Sequence, residues 1–225
     1  MSRPSEPFWG WPGWPHLRLA AVLLLAGSLW FLLVYGGCDV ITAHRRARVR
    51  IHMDWELNLP FIPEAVLFYM SIYLLFVAGP FILRQRREVL ALAVALNVAV
   101  LAAGVGFLLV PARLGFRPQT DLEMFPGLFR LADRLNLTYN LVPSLHVALS
   151  VICIAAYAPR AGPTGKVLLW LWAVAIALST VLTQQHHIVD ILTGWALGLV
   201  VGKLVSEILR SSKSSEPRMD ANGRQ

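Results

Sequence analysis

Three histidines and an aspartate stand out first, because the sequence sets them at the edges of apolar blocks. His146 follows Pro143, Ser144 and Leu145 at the start of one block. Ser179 and Thr180 close the next, and His186, His187 and Asp190 open the last. Ionisable groups at membrane depth are costly, so each is a functional hypothesis by default. His186 and Asp190 are spaced i, i+4 and share one helix face. A carboxylate in that place holds an imidazole in one tautomer and stabilises the imidazolium formed when the ring attacks. A second imidazole, His146, can protonate a leaving oxygen, a contribution of about 10²–10⁴-fold. Arg117, Ser144 and the unpaired N–H groups of a helix opened by Pro143 suit phosphoryl oxygens, with Arg113 and Thr180 as further candidates. These residue types point to phosphoryl transfer.

Each element has a plainer reading. A lone His-x-x-x-Asp at a helix end is usually a cap or an interface pair, and Pro-Ser is an ordinary helix start. What lifts them is convergence, which depends on the elements that carry them. His187 rivals His186, since it lies three residues from Asp190. Three His and an Asp also suggest zinc, but no other ligand cluster supports it. His16, His44 and His52 read as interfacial residues. Cys38 and Cys153 read as buried free thiols, and Asn136-Leu-Thr138 as a chance glycosylation sequon.

The chain has 225 residues, 56% hydrophobic and only 15% charged, against about a quarter charged in soluble domains. The apolar residues fall in blocks of about 20, the length that crosses a hydrocarbon core of about 30 Å. The spacing predicts an all-α polytopic membrane protein with six transmembrane helices in one bundle, at 17–37, 62–83, 89–110, 142–159, 166–182 and 188–209. Residues 1–16, with Trp9, Trp11 and Trp14, read as an aromatic interfacial segment. Residues 17–210 form the membrane domain, and 211–225 read as a disordered polar tail. The loop 111–141 ends in apolar residues at helical spacing, which suggests a short helix in the interface plane.

Six spans put both termini on one side. That side carries 11 Lys and Arg against 8 on the other, with Lys203 left inside a span. The positive-inside rule then makes the termini cytoplasmic. Helix counting brings Arg117, the start of span four, the end of span five and the start of span six to the opposite, extracytoplasmic face. The net charge of +7 sits in short loops, as topology signals and lipid-phosphate contacts do, so nucleic acid is not an expected partner.

Arg117-Pro118, Pro143-Ser144-Leu145-His146, and Ser179-Thr180 followed by His186 and Asp190 resemble the type-2 phosphatidic acid phosphatase superfamily, whose pattern is KxxxxxxRP, PSxH and SRxxxxxHxxxD. The resemblance covers roughly residues 60–205. It implies His186 as a nucleophile that forms a phosphohistidine, Asp190 as its orienting carboxylate and His146 as general acid. The family spacing also favours His186 over His187. Two positions depart from the pattern: Val110 stands where the first motif has Lys, and Thr180 where the third has Arg. With Leu145, these are similar to the inositol-phosphorylceramide-synthase and sphingomyelin-synthase branch.

The expected function is a membrane-embedded lipid phosphate phosphatase acting on a lipid phosphate or phospholipid. The runner-up transfers a phospho-headgroup to a lipid or polyol. A non-enzymatic lipid transporter is third, because no internal repeat is evident and the polar groups sit at a face rather than the midplane. No cofactor and no metal are expected, since no carboxylate cluster would hold Mg²⁺. Gly194, Gly198 and Gly202 form a small-residue stripe read as close helix packing, within the chain or in a homodimer.

Overall fold

The computed structural model describes residues 7–117, 125–135 and 139–214. The long helices are α1 (Trp14–Ala43), α2 (Pro63–Ile82), α3 (Arg86–Leu109), α6 (Pro163–Leu182) and α7 (Ile188–Ser214). A short α4 (Pro126–Leu135) and an apolar α5 (Leu145–Arg160) lie between α3 and α6. The only strands among the described residues are β1 (Val49–Arg50) and β2 (Ala112–Arg113), paired in parallel. Pro118, the 136–138 sequon and residues 215–225 of the expected tail lie outside the described residues. The rest of that tail, Ser211 to Ser214, continues α7.

Five helices, α1, α2, α3, α6 and α7, are long and apolar enough to cross a membrane, which fits an integral membrane protein. The block expected to span at 142–159 is the shorter α5. It packs against α2, α3, α6 and α7, and Val147, Ala148, Val151, Cys153, Ile154 and Tyr157 are wholly buried. A helix apolar on all sides belongs inside, where protein covers every face. Val22, Leu25 and Leu29 of α1 and Val167 and Leu171 of α6 are exposed instead, and hydrocarbon would cover such surfaces.

Helix α1 starts with Pro15 in its first turn, where a missing N–H costs nothing. It runs through Gly36 and Gly37 to Ala43, past the expected end at 37. One turn, Leu32–Gly36, opens into a π-helix. Such a turn frees backbone groups, a frequent feature of functional regions. Here the Tyr35 carbonyl accepts a 2.6 Å bond from the Asn140 side chain, and Asp39 accepts one from the Tyr139 N–H.

The aromatic segment before α1 docks on the end of α2. Trp9 stacks on Phe81 with centroids 5.0 Å apart, and the Gly10 N–H donates to the Phe81 carbonyl. Buried His16 donates to Leu83 O at 2.8 Å, so it is a fastening rather than a plain interfacial residue. Cys38 and Cys153 are buried free thiols.

The glycine stripe packs inside the chain, along the seam between α5 and α7. A methyl group added at Gly194 would lie 2.4 Å from the Ser144 carbonyl oxygen. One at Gly198 would lie 2.7 Å from that of Ala148, whereas one at Gly202 meets nothing closer than 4.0 Å. The first two glycines allow a backbone approach that any side chain would prevent. In α4, Phe129 and Ala132 bury against Val66 and Tyr69, while Arg130 and Arg134 face outward. That division matches the amphipathic helix expected in this loop.

Candidate active site

Helix α6 ends at Leu182, and four residues later the chain reaches His186. The turn is held by Thr180, whose carbonyl accepts from the N–H groups of Gln185 and His186 at 2.9 and 3.1 Å. Helix α7 then starts at Ile188, and its first turn carries Asp190. His186 Nδ1 lies 3.2 Å from Asp190 Oδ2, and both residues are buried. The same oxygen accepts the His187 N–H at 2.9 Å. With Nδ1–H donated to the carboxylate, the lone pair of His186 is on Nε2. That leaves Nε2 as the ring atom with a lone pair to offer.

Ser144 is the N-cap of α5, accepting the Val147 N–H, and its own N–H donates to the Asp190 carbonyl at 2.9 Å. The closeness at Gly194 permits this link, which joins the start of α5 to the first turn of α7. His146, one turn into α5, donates Nε2–H to the Tyr69 carbonyl at 2.6 Å, and the two rings stack 3.9 Å apart. A carbonyl can only accept, so Nδ1 is the His146 atom left for proton transfer.

His146 and His186 line one cavity of about 520 Å³. The rest of its wall is mostly apolar, with Leu24 and Leu32 of α1, Phe76 of α2, and Leu92 and Leu96 of α3. Two imidazoles in the wall of a largely apolar chamber suit an amphiphile whose polar atoms lie against them. Asn140 also lines it, held by Tyr35.

The remaining expected residues are placed differently. Thr180 is wholly buried, and its hydroxyl donates to Ala177 O in its own helix. Its connection to His186 is through the main chain. Arg113 lies in β2 opposite Arg50 and is exposed. Arg117 is exposed too, two residues beyond Gly115, whose N–H donates to His187 Nε2 at 2.9 Å. Among the described residues no group of three or more His, Cys, Asp or Glu side chains is arranged to hold a metal ion.

His187 is engaged on every side. Glu56 Oε2 lies 3.0 Å from Nδ1, and the rings of His52 and Phe116 stack on it at 4.7 and 4.6 Å. Burial pushes this imidazole below its usual range, against the opposing pull of Asp190 and Glu56. It is therefore a neutral ring with Nδ1–H toward Glu56 and an accepting Nε2. Nothing is left over for nucleophilic attack. No local pattern in the sequence marks Glu56 or Tyr69, because both act across long separations. The available signal was an acidic residue in an arginine-rich loop.

A family model described as the PAP2 superfamily matches residues 88–213. The chain belongs to the PAP2 superfamily. The match runs from the first turn of α3 to the end of α7, so it takes in His146, His186 and Asp190 but neither Glu56 nor Tyr69. No solved structure matches the chain. Membership in the superfamily suggests a phosphatase or phosphotransferase acting on lipid phosphates.

Proposed function

We propose that this PAP2 protein is a lipid phosphate phosphatase working through a phosphohistidine at the extracytoplasmic face. The observation that carries the reading is His186, with Nδ1 on Asp190 and Nε2 free to attack, in one cavity with His146. His186 Nε2 attacks phosphorus as the P–O bond to the lipid breaks. His146 enters doubly protonated, with Nε2–H kept on the Tyr69 carbonyl. It gives its Nδ1 proton to the departing alkoxide and becomes neutral, and Asp190 stabilises the phosphorylated imidazolium. Water then attacks phosphorus, His146 takes its proton, and inorganic phosphate leaves with His186 restored. Arg117 and Ser144 hold the phosphoryl oxygens, with Arg113 beside them, and the apolar chamber takes hydrocarbon from the lipid.

A second reading, transfer of a phospho-headgroup to a lipid or polyol, is favoured by the sparse cations. Thr180 fills the third-motif arginine position with a buried side chain turned into its own helix. A phosphate monoester carries nearly two negative charges and a diester one, so a site short of cations suits the diester better. This is also where the likeness to the inositol-phosphorylceramide-synthase and sphingomyelin-synthase branch leads.

Purified protein in detergent, given labelled lipid phosphates with and without alcohol acceptors, separates the two. Release of inorganic phosphate supports the phosphatase, and a new phosphodiester the transferase. His186→Ala is expected to lower kcat by about 10³-fold or more and Asp190→Asn by a similar order, with the fold intact. Full activity in His186→Ala would sink both readings.

A further inference from the structure

Three stretches far apart in the sequence meet at His187. The first loop brings Glu56, which is wholly buried and accepts from three donors. These are its own loop's Met53 N–H at 3.2 Å, His187 Nδ1–H at 3.0 Å and the Ile188 N–H at 3.3 Å. The segment after α3 brings the Gly115 N–H to His187 Nε2 at 2.9 Å and the Phe116 ring to one face of the imidazole. The β1–β2 pair joins these same two stretches a few residues earlier, with Val49 opposite Ala112 and Arg50 opposite Arg113. The third stretch is the corner that carries His186 and Asp190.

A buried carboxylate accepting three N–H groups is a costly arrangement to build and costlier still to half-remove. The arrangement does more than close a loop. Residue 117 follows Gly115 by two positions, and residue 186 precedes His187 by one. The His187 ring therefore ties the backbone of the Arg117 segment to the corner that carries His186. A His186 held by Asp190 alone would be oriented against the first turn of α7 but not registered against the Arg117 segment.

We propose that Glu56 and His187 are positioning residues that register the Arg117 segment against His186, so that phosphate binding and attack are assembled as one unit. The assignment rests on the phosphoryl-transfer reading of His186. Glu56 lies outside the matched family segment, so the device joins the first loop of this chain to the shared core.

The test is a double-mutant cycle between His187→Asn and Arg117→Ala. The Asn amide stands in for the Nδ1–H toward Glu56 but offers nothing to Gly115. KM for a lipid phosphate is expected to rise about 10- to 100-fold in His187→Asn, with a smaller fall in kcat. In the Arg117→Ala background, the same change is expected to add little. Glu56→Gln, whose one amide oxygen can still accept from His187 and Ile188 while its NH2 faces the Met53 N–H, is expected to fall between wild type and His187→Asn. Glu56→Ala is expected to reproduce the His187→Asn defect. Equal losses in both backgrounds, or a His187→Asn protein with unchanged KM, overturn the proposal. Orthovanadate, a phosphate mimic, gives a second readout without turnover, as thermal stabilisation of the same four proteins in detergent. Vanadate coupling between His187 and Arg117 without lipid turnover keeps the positioning role and rejects the functional reading. Turnover with additive effects does the reverse. Neither turnover nor vanadate binding in wild type overturns both.

Discussion

The seam between α5 and α7 and the open chamber lined by α1, α2, α3 and α5 are built on opposite principles. At the seam, backbone meets backbone. Gly194 and Gly198 lie so near the Ser144 and Ala148 carbonyls that an added methyl has no room. Across the chamber, large flexible side chains such as Leu24, Phe76 and Leu96 face a void of about 520 Å³. Dense packing transmits small displacements, whereas a void tolerates them. The difference separates two tasks. The rigid side holds Asp190 against Ser144, and the loose side leaves a largely apolar space. In the proposed function the first sets the geometry for attack and the second takes hydrocarbon from the lipid.

The comparison breaks most sharply if the seam proves tolerant. Gly194→Ala and Gly198→Ala should each destabilise the protein by about 1–3 kcal/mol through overpacking, seen as a lower melting temperature in detergent. Gly194→Ala should also reduce turnover, because it pushes on the residue that donates to the Asp190 carbonyl. A wild-type melting curve and rate for both variants would show that the seam is not the rigid element.

On the loose side, Leu96→Trp should fill part of the chamber at little cost to the fold. KM for a long-chain lipid phosphate is expected to rise about tenfold, equivalent to about 1.4 kcal/mol. KM for a short-chain analogue should stay unchanged. Equal effects on both chain lengths would mean that hydrocarbon does not enter here.

Gly202→Ala sharpens the contrast from within the glycine stripe. Nothing crowds that position, so replacing a helical glycine should raise stability by up to about 1 kcal/mol. Destabilisation comparable to Gly194→Ala would put the third glycine in the seam after all.

The smallest effect concerns pH. His187 is held neutral by burial, below the ordinary value of about 6.5 that it regains when unfolded. In that interval the unfolded chain binds the extra proton, so the stability His187 contributes is complete above about pH 6.5 and declines as the pH falls below it. Melting temperatures between pH 7.5 and 5.5 should therefore fall more steeply for wild type than for His187→Gln. Parallel slopes would assign the acid sensitivity elsewhere.

Much of this architecture is written locally. Apolar blocks of span length and Pro-Ser at a helix start are properties of neighbouring residues, and periodicity reads them directly. His186, by contrast, meets Asp190 from the corner before α7 rather than from a shared helix face. The extent of α1 was less readable, because Gly36-Gly37 looks like a stop and its π-helical turn depends on a partner at Asn140. Gly194, Gly198 and Gly202 look alike in sequence, yet only two of them meet a carbonyl. His187 was legible only as a rival nucleophile. Its buried role depends on Glu56, 131 positions away, and on His52, whose ring lies 4.7 Å from it. No local pattern records a bond of that reach.

The π-helical turn at Leu32–Gly36 bears on how chains of this kind should be aligned. A turn closed by i→i+5 bonds holds one residue more than an α-helical turn. A chain one residue shorter at this point could run straight through as an α-helix, with the flanking halves of the span presenting the same faces. It would lack the widened turn at which the Tyr35 carbonyl receives Asn140. A single-residue gap at this position in a relative would therefore signal a missing tether to the segment before α5 rather than a shifted span.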